Sequence, residues 1–370
     1  MGTVFLHVGT MKSGTTYIQQ SLDARADMLA KRGIRWFGTR HTNLAAQDLL
    51  RGKRRVAASA GAWPRFAKQI RSSDEDAIIS MELLGPIGAA KRQRLKSSLD
   101  THELTLILTV RDLTKVVPST WQESMQNRRE IGWTDLCEAI CTPEPSSGKP
   151  SRFWLHQDVM GVVDRYSSIV DKDRMRIVTV PRTSGDPGLL WNRFRAALGV
   201  DATGKALHKA HNPSLGAVSS ELLMRVNTRT HDLDWTQYRH GVKNALGKRT
   251  LGRRTSGEPR YGLSPQHHAW LRKRSIPMVQ DIEASGIEII GDLAEIIPAE
   301  EPSAVTFSPD DLIDSLLLDA ALDGLAGMGK IVGDLRLERD ALREEVLQLT
   351  TASSASGAKP RRVQGSRGGH

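Results

Sequence analysis

Gly9, Lys12, Ser13, Gly14, Thr15 and Thr16 stand together in the stretch FLHVGTMKSGTTYIQQSL, residues 5–22. Glycines let a chain turn tightly and approach a ligand closely, while hydroxyls and an ammonium suit anionic oxygens. An apolar run precedes the glycines and a helical pattern follows them. A strand, a loop and a helix N-terminus in that order converge backbone N–H groups on one point, which makes an anion site. The bland reading is a glycine turn with polar residues on its surface. In the Walker form GxxxxGK[ST] the lysine follows the second glycine; here Gly9 and Gly14 keep that separation, Thr15 occupies the lysine's place and Lys12 sits mid-loop. The Walker lysine serves the outer phosphates of a triphosphate beside magnesium, so the displacement argues for another phosphate ligand.

A second pair stands a hundred residues on. The run LTLILTV leads into RDLTKVVPSTWQES, which places Arg111 at a strand's C-terminal end and Ser119 eight residues later, near a helix start. Arginine offers a planar fork to a phosphate, and a hydroxyl beside a helix's positive pole adds to it. Alone, such an arginine is as readily an ordinary ion-pairing residue.

With both motifs in view, TMKSGTTYIQ resembles the 5′-phosphosulfate loop of the sulfotransferase superfamily, PKSGTTW, with Met11 for the proline and Tyr17 for the tryptophan. Arg111 and Ser119 resemble the pair that holds the 3′-phosphate in that family. The resemblance covers about residues 3–295, less specifically in NPSLGAVSSELLMRVN and GIEIIGDL. It implies a P-loop-like α/β fold and 3′-phosphoadenosine 5′-phosphosulfate (PAPS) as co-substrate, with no metal. It implies cofactor contacts from Lys12, Ser13, Gly14, Thr15, Thr16, Arg111 and Ser119, with Lys12 stabilising the leaving oxygen. A phosphosulfate has one phosphate before the transferred group, so one cation near the bridging oxygen can suffice. Arg253 and Arg254, with Lys248, would repeat the C-terminal basic segment of cytosolic sulfotransferases.

The acceptor hydroxyl needs a base, which in the family is a histidine or a glutamate. Glu82, in AIISMELLGP, stands at the end of a predicted strand, where α/β sites gather; its other reading is a loop glutamate paired with a site cation. His41, in TRHTNLAAQ, is a second candidate on a polar loop, and HTN resembles acceptor-side segments of some bacterial members. His7 is a rival that a buried strand would turn into the core. Trp121 is a candidate ring for adenine, unless it faces the sheet.

The elements that must position these residues follow from apolar periodicity. Strand-length runs occur over residues 3–8, 34–37, 77–81, 104–110 and 175–180, four of them near-continuous, as in strands buried on both faces. Amphipathic helical patterns over 15–31, 63–71, 91–99, 115–128, 133–140, 159–170 and 188–198 alternate with them. That alternation predicts an α/β fold, a parallel sheet flanked by helices with a C-terminal helical extension. Later come the helices SLGAVSSELLMRVN and SPQHHAWLRKRSIPMVQDIEASG, separated by KNALGKRTLGRRTSGEPRYGLSP, a basic glycine-rich segment expected to be loop, either solvated or closing over an anion. The expected organisation is a PAPS-binding domain over 1–298, a linker with amphipathic or short coiled-coil helices over 299–350, and a disordered basic tail over 351–370. Leu335, Leu342 and Leu349 are seven apart, with Val332, Arg339 and Val346 on the complementary heptad positions. That stripe is either packed on its own domain or the seam of a homodimer.

Composition sets bounds rather than names. In 370 residues, 39% are hydrophobic and 25% charged, and the net charge of +10 favours anionic partners. The partners expected are PAPS and a hydroxyl-bearing acceptor, a glycan or glycolipid, without nucleic acid. Cys137 and Cys141, four apart on a predicted helix, suit neither a disulfide nor a zinc site. An N-terminus lacking signal-peptide features, and the lack of any apolar run of about 18 residues, lead to an expectation of a cytoplasmic protein. Two other functions stay open: a P-loop nucleotide kinase or NTPase, and a non-catalytic nucleotide-binding scaffold.

Overall fold

The computed structural model describes residues 1–51, 59–142, 152–182, 185–200, 215–302 and 307–355. The apolar runs become β1 Thr3–His7, β2 Ile34–Trp36, β3 Asp76–Ser80, β4 Glu103–Val110 and β5 Met175–Thr179, joined by β6 Glu288–Ile290. Together they make one six-stranded sheet in the order β2-β3-β1-β4-β5-β6, with every neighbouring pair parallel. Side chains alternate across a strand, and here both faces are covered. Val4, Leu6 and Val8 enter the larger core with Leu106, Leu108 and Ile177, whereas Phe5 packs on the other face with Ile78, Ile107 and Val178.

The helices before β4 are α1 Thr15–Asp23, α2 Ala26–Ala30, α3 Thr39–Arg51, α4 Ala62–Arg71 and α5 Ala89–Ser98. Between β4 and β5 run α6 Leu113–Gln126, α7 Trp133–Cys141, α8 Arg152–Gln157 and α9 Val159–Tyr166. Then come α10 Leu189–Ala197, α11 Ala217–Asn227, α12 Trp235–Tyr238, α13 Pro265–Ala284 and α14 Asp314–Ala355. β1 lies in the middle, between β3 and β4, so the chain segments leaving these three strands open onto one crevice at their C-terminal ends, where ligands of open α/β sheets gather.

Among the segments that differ from the sequence-based expectation, four stand out. The helix predicted over 15–31 divides at Asp23, whose carboxylate accepts from Trp36 Nε1 (2.7 Å) and from Thr39 N and Oγ1 (3.0 and 2.7 Å). The polar loop expected around His41 is α3, in which Thr42, Ala45, Ala46 and Leu49 are buried at helical spacing. The basic segment expected as loop is wound instead, as a π-helix over Arg239–Thr250 and a 3-10 helix over Leu251–Ser256. Its buried Val242, Ala245, Thr250 and Leu251 do not follow a 3.6-residue spacing, which is why periodicity misses it. β6 is the fourth, three residues too short to stand out as an apolar run.

Beyond residue 298 the chain folds back on the body. Tyr261 and Phe307 form a bridge, and Gly262 N donates to Phe307 O (3.1 Å). α14 is a single helix of 42 residues; at about 1.5 Å per residue it is about 63 Å long. Its first turns pack through Leu317 and Ala320 against Val218. Helix continues to Ala355, so the opening residues of the expected tail are ordered; the rest of it, 356–370, lies outside the described residues. Both cysteines are free thiols. Among the described residues no helix is long and apolar enough to cross a membrane.

Candidate functional site

The loop leaving β1 is pinned to β4: Val8 N donates to Ile107 O (3.1 Å) and Thr10 N to Thr109 O (2.9 Å). Gly9 has φ 24°, and a Cβ there would stand 2.5 Å from Thr109 Oγ1, so a larger residue would displace the Thr109 side chain. Gly14, φ 89°, is the N-cap of α1 and supplies no capping side chain. The first-turn N–H groups of a nine-residue helix are therefore left for a ligand. Lys12 itself has φ 67°, the left-handed region that costs a non-glycine residue about 1 kcal/mol or more. Two side chains hold that conformation from outside: Arg111 Nη1 donates to Lys12 O (3.2 Å) and Gln157 Nε2 to Met11 O (2.8 Å).

Below the loop runs a buried relay of hydroxyls. Ser80 Oγ lies 2.8 Å from His7 Nδ1, His7 Nε2 3.1 Å from Thr109 Oγ1, and Thr109 Oγ1 2.6 Å from Ser13 Oγ, which donates to Thr10 O (2.5 Å). One direction of donation satisfies every group: Ser80 donates to Nδ1, Nε2–H to Thr109, Thr109 to Ser13 and Ser13 to Thr10 O. Burial pushes His7 down to about 3, so the ring is neutral. His7 is thus a structural residue beneath the loop and no rival base. Ser13 departs from expectation in the same way, because its hydroxyl faces this floor rather than the crevice and is fully buried. Thr15 remains a ligand candidate: its Oγ1 is buried and makes no hydrogen bond, while it lies close enough to Glu82 to act on that carboxyl. Thr16 is exposed on the first turn.

Lys12 reaches across the crevice to α6, where Nζ meets Glu123 Oε2 at 2.9 Å. Glu82 follows β3, and the backbone before it is tied to β1 by Met81 N donating to His7 O (2.9 Å). Burial raises the Glu82 carboxyl above its ordinary value and Glu123 raises it further, while its own backbone, Lys12 and Thr15 pull the other way. Lys12, Glu82, Glu123 and Thr15 therefore form one cluster at the crevice. His156 borders it, pushed down to about 4 chiefly by burial, with Arg152 and Arg165 adding to the shift and Glu123 opposing it. Sequence reasoning missed Glu123; the signal was present, since it stands four residues after Ser119 and so on the same face of α6.

Arg111 joins this cluster to a second space. Arg111 and Ser119 line one cavity of about 570 Å3 with Lys115, Arg182, Arg260 and Tyr261. Burial lowers the Arg111 guanidinium from its ordinary value, Asp112 opposes this and Arg260 adds to it. The Ser119 hydroxyl donates to Lys115 O (3.0 Å), and Asp112 caps α6 by accepting from Thr114 N (2.8 Å). Ala299, Glu301 and Pro302 of the expected linker also line this cavity.

Four expected residues stand elsewhere. Arg253 and Arg254 line a different cavity, against α14. Arg254 is held there by Glu258 (2.8 Å), Asp319 (2.8 Å) and Asp323, so ion pairs within the protein already satisfy its fork. The cations that do join Arg111 are Lys115, Arg182 and Arg260, the last from the same basic segment. His41 packs edge-on against Phe37 and Phe66, at ring separations of 6.2 and 5.5 Å, on the helix α3 rather than on a loop open to an acceptor. Trp121 lies in the core, donating through Nε1 to Ile131 O (3.0 Å); Tyr261 is the aromatic ring at the cavity.

In comparisons with known proteins, no family model, no curated protein and no solved structure matches this chain.

Proposed function

We propose that this chain is a P-loop-like sulfotransferase that moves a sulfuryl group from PAPS to a hydroxyl, on a glycan or glycolipid acceptor. The observation that carries the reading is the contact between two motifs a hundred residues apart. Arg111 donates to the carbonyl of Lys12 and lines one cavity with Ser119, so a loop suited to a 5′-phosphosulfate adjoins a basic cavity suited to a 3′-phosphate. The residues present fit such a ligand. Gly9 and Gly14 take the positive-φ turns (24° and 89°) that shape the loop, the uncapped start of α1 offers N–H groups, and Thr15 Oγ1 is a buried hydroxyl beside Glu82.

Thr15, Thr16 and the N–H groups around Gly14 would hold the 5′-phosphate, and Arg111, Ser119 and Arg260 the 3′-phosphate. The co-substrate, when bound, supplies the sulfuryl group. Lys12 would leave Glu123 to neutralise charge on the departing phosphate oxygen, a stabilisation larger in the transition state than in the ground state. Glu82, with its carboxyl raised toward neutrality and beside Lys12, would take the acceptor's hydroxyl proton. Glu123 positions Lys12 before the ligand arrives.

Calorimetric titration tests the reading. The 3′,5′-bisphosphate product of PAPS should bind well ahead of ATP with magnesium, and a preference for ATP would overturn the assignment. Transfer to a permissive hydroxyl acceptor that survived both Lys12→Ala and Glu82→Gln would overturn the roles of leaving-group cation and base.

A further inference from the structure

α14 does two things along its length. Leu317, Ala320, Gly324 and Gly327 face the body, and from Val332 onward every side chain described is exposed. A stripe of large apolar residues nevertheless continues, 71% exposed at Leu325, partly covered at Met328, and 45–64% exposed at Val332, Leu335, Leu342, Val346 and Leu349. Its spacing alternates strictly between three and four: Leu325, Met328, Val332, Leu335, Arg339, Leu342, Val346, Leu349. Because the helix is unbroken, the heptad legible from Val332 extends back to Leu325. With Leu325, Val332, Arg339 and Val346 at a, the d positions are Met328, Leu335, Leu342 and Leu349.

We propose that this stripe is the seam of a parallel, in-register two-stranded coiled coil with a second copy of this chain. The charges flanking the seam select both partner and direction. Glu338 and Glu345 occupy g positions, and Arg336 and Arg343 occupy e positions. In a parallel pair Glu338 faces Arg343 of the other copy, twice by symmetry; in an antiparallel pair g meets g and e meets e, setting glutamate against glutamate and arginine against arginine. β-Branched valine at a with leucine at d favours two strands, and one polar residue at a, Arg339, fixes the register. Among the described residues, the ion pair that Arg339 and Arg343 make is to Asp340, on their own helix. An anionic lipid surface suits the segment poorly: residues 332–355 carry three arginines against five acids.

The full chain, measured by light scattering through a micromolar dilution series, should have twice the 40.8 kDa chain mass. Leu342→Glu should reduce it to a single chain with its thermal transition retained. Glu338→Arg should raise the dimer's dissociation constant about tenfold, and adding Arg343→Glu should restore it, which loss of folding could not do. Leu342→Cys under mild oxidant should give a disulfide-linked dimer, because d positions meet their own counterparts only in parallel register. A monomer throughout the series, a charge swap without recovery, or wild-type chain that stays monomeric yet binds anionic vesicles through this stripe would each overturn the proposal.

Discussion

Arg111→Ala separates the loop support seen for Arg111 from the 3′-phosphate contact proposed for it. Its Nη1 donates to Lys12 O and so supports the loop, while the same guanidinium lines the cavity assigned to the 3′-phosphate. The loop bond is an ordinary one to a carbonyl, worth about 1 kcal/mol, and its loss weakens every ligand of the loop equally. A hydrogen bond from a half-buried guanidinium to phosphate is charge-assisted and worth about 1.5–3 kcal/mol, roughly 10- to 150-fold in dissociation constant. Titration calorimetry of wild type and variant against adenosine 3′,5′-bisphosphate and adenosine 5′-monophosphate, at one fixed salt concentration, forms a cycle in which the loop contribution cancels. The bisphosphate should lose roughly 10- to 150-fold more affinity than the monophosphate. Equal losses would refute the 3′-phosphate role and leave Arg111 as a support for the loop. Arg111→Lys should fall between, keeping the charge and losing the fork.

Lys12→Ala should lower kcat by about two to three orders of magnitude and change binding of the bisphosphate much less, as steady-state transfer assays and titration would show. On the proposed mechanism the active form has Glu82 ionised, so kcat/KM should rise with pH through its pKa, which burial and Glu123 place above the ordinary 4.5. Glu123→Gln removes a charge that raises this pKa and should move the acid limb to lower pH; Lys12→Ala removes one that lowers it and should move the residual limb to higher pH. Gly9→Ala drives a Cβ to 2.5 Å from Thr109 Oγ1 and 3.1 Å from His7 Nε2; scanning calorimetry should register a loss of about 2–4 kcal/mol. His7 has a folded pKa of about 3 against 6.5 when unfolded, so the unfolded chain takes up a proton that the folded one refuses. Stability should fall as pH descends from 6.5 toward 3, and denaturant melts of His7→Gln should show a flatter decline.

Much of the fold could be read directly because its signals are local. Five of the six strands are apolar runs whose neighbours in sequence decide them, and the paired glycines announce the turn into α1. The misses share a cause. α3 hides its apolar face in threonine and alanine, the π-helix follows a spacing other than 3.6, and β6 is a strand only because β5 lies beside it.

The site divides in the same way. Turn chemistry and helix spacing act over a few residues, so the local order of the chain already marks which residues can meet an anion at the loop and sets Arg111 and Ser119 eight apart at a strand end. Which of these groups meet is fixed by packing. β1 lies between β3 and β4, and that placement brings Glu82, Lys12 and Glu123 to one crevice, turns Ser13 and His7 beneath it, and sets Arg111 against the loop. It also takes Arg254 away, because three carboxylates near it in space, two of them on α14, bind its guanidinium first. Coulomb attraction and hydrogen bonding fall off within a few ångströms, so the choice of partner belongs to the packing of the elements rather than to spacing along the chain.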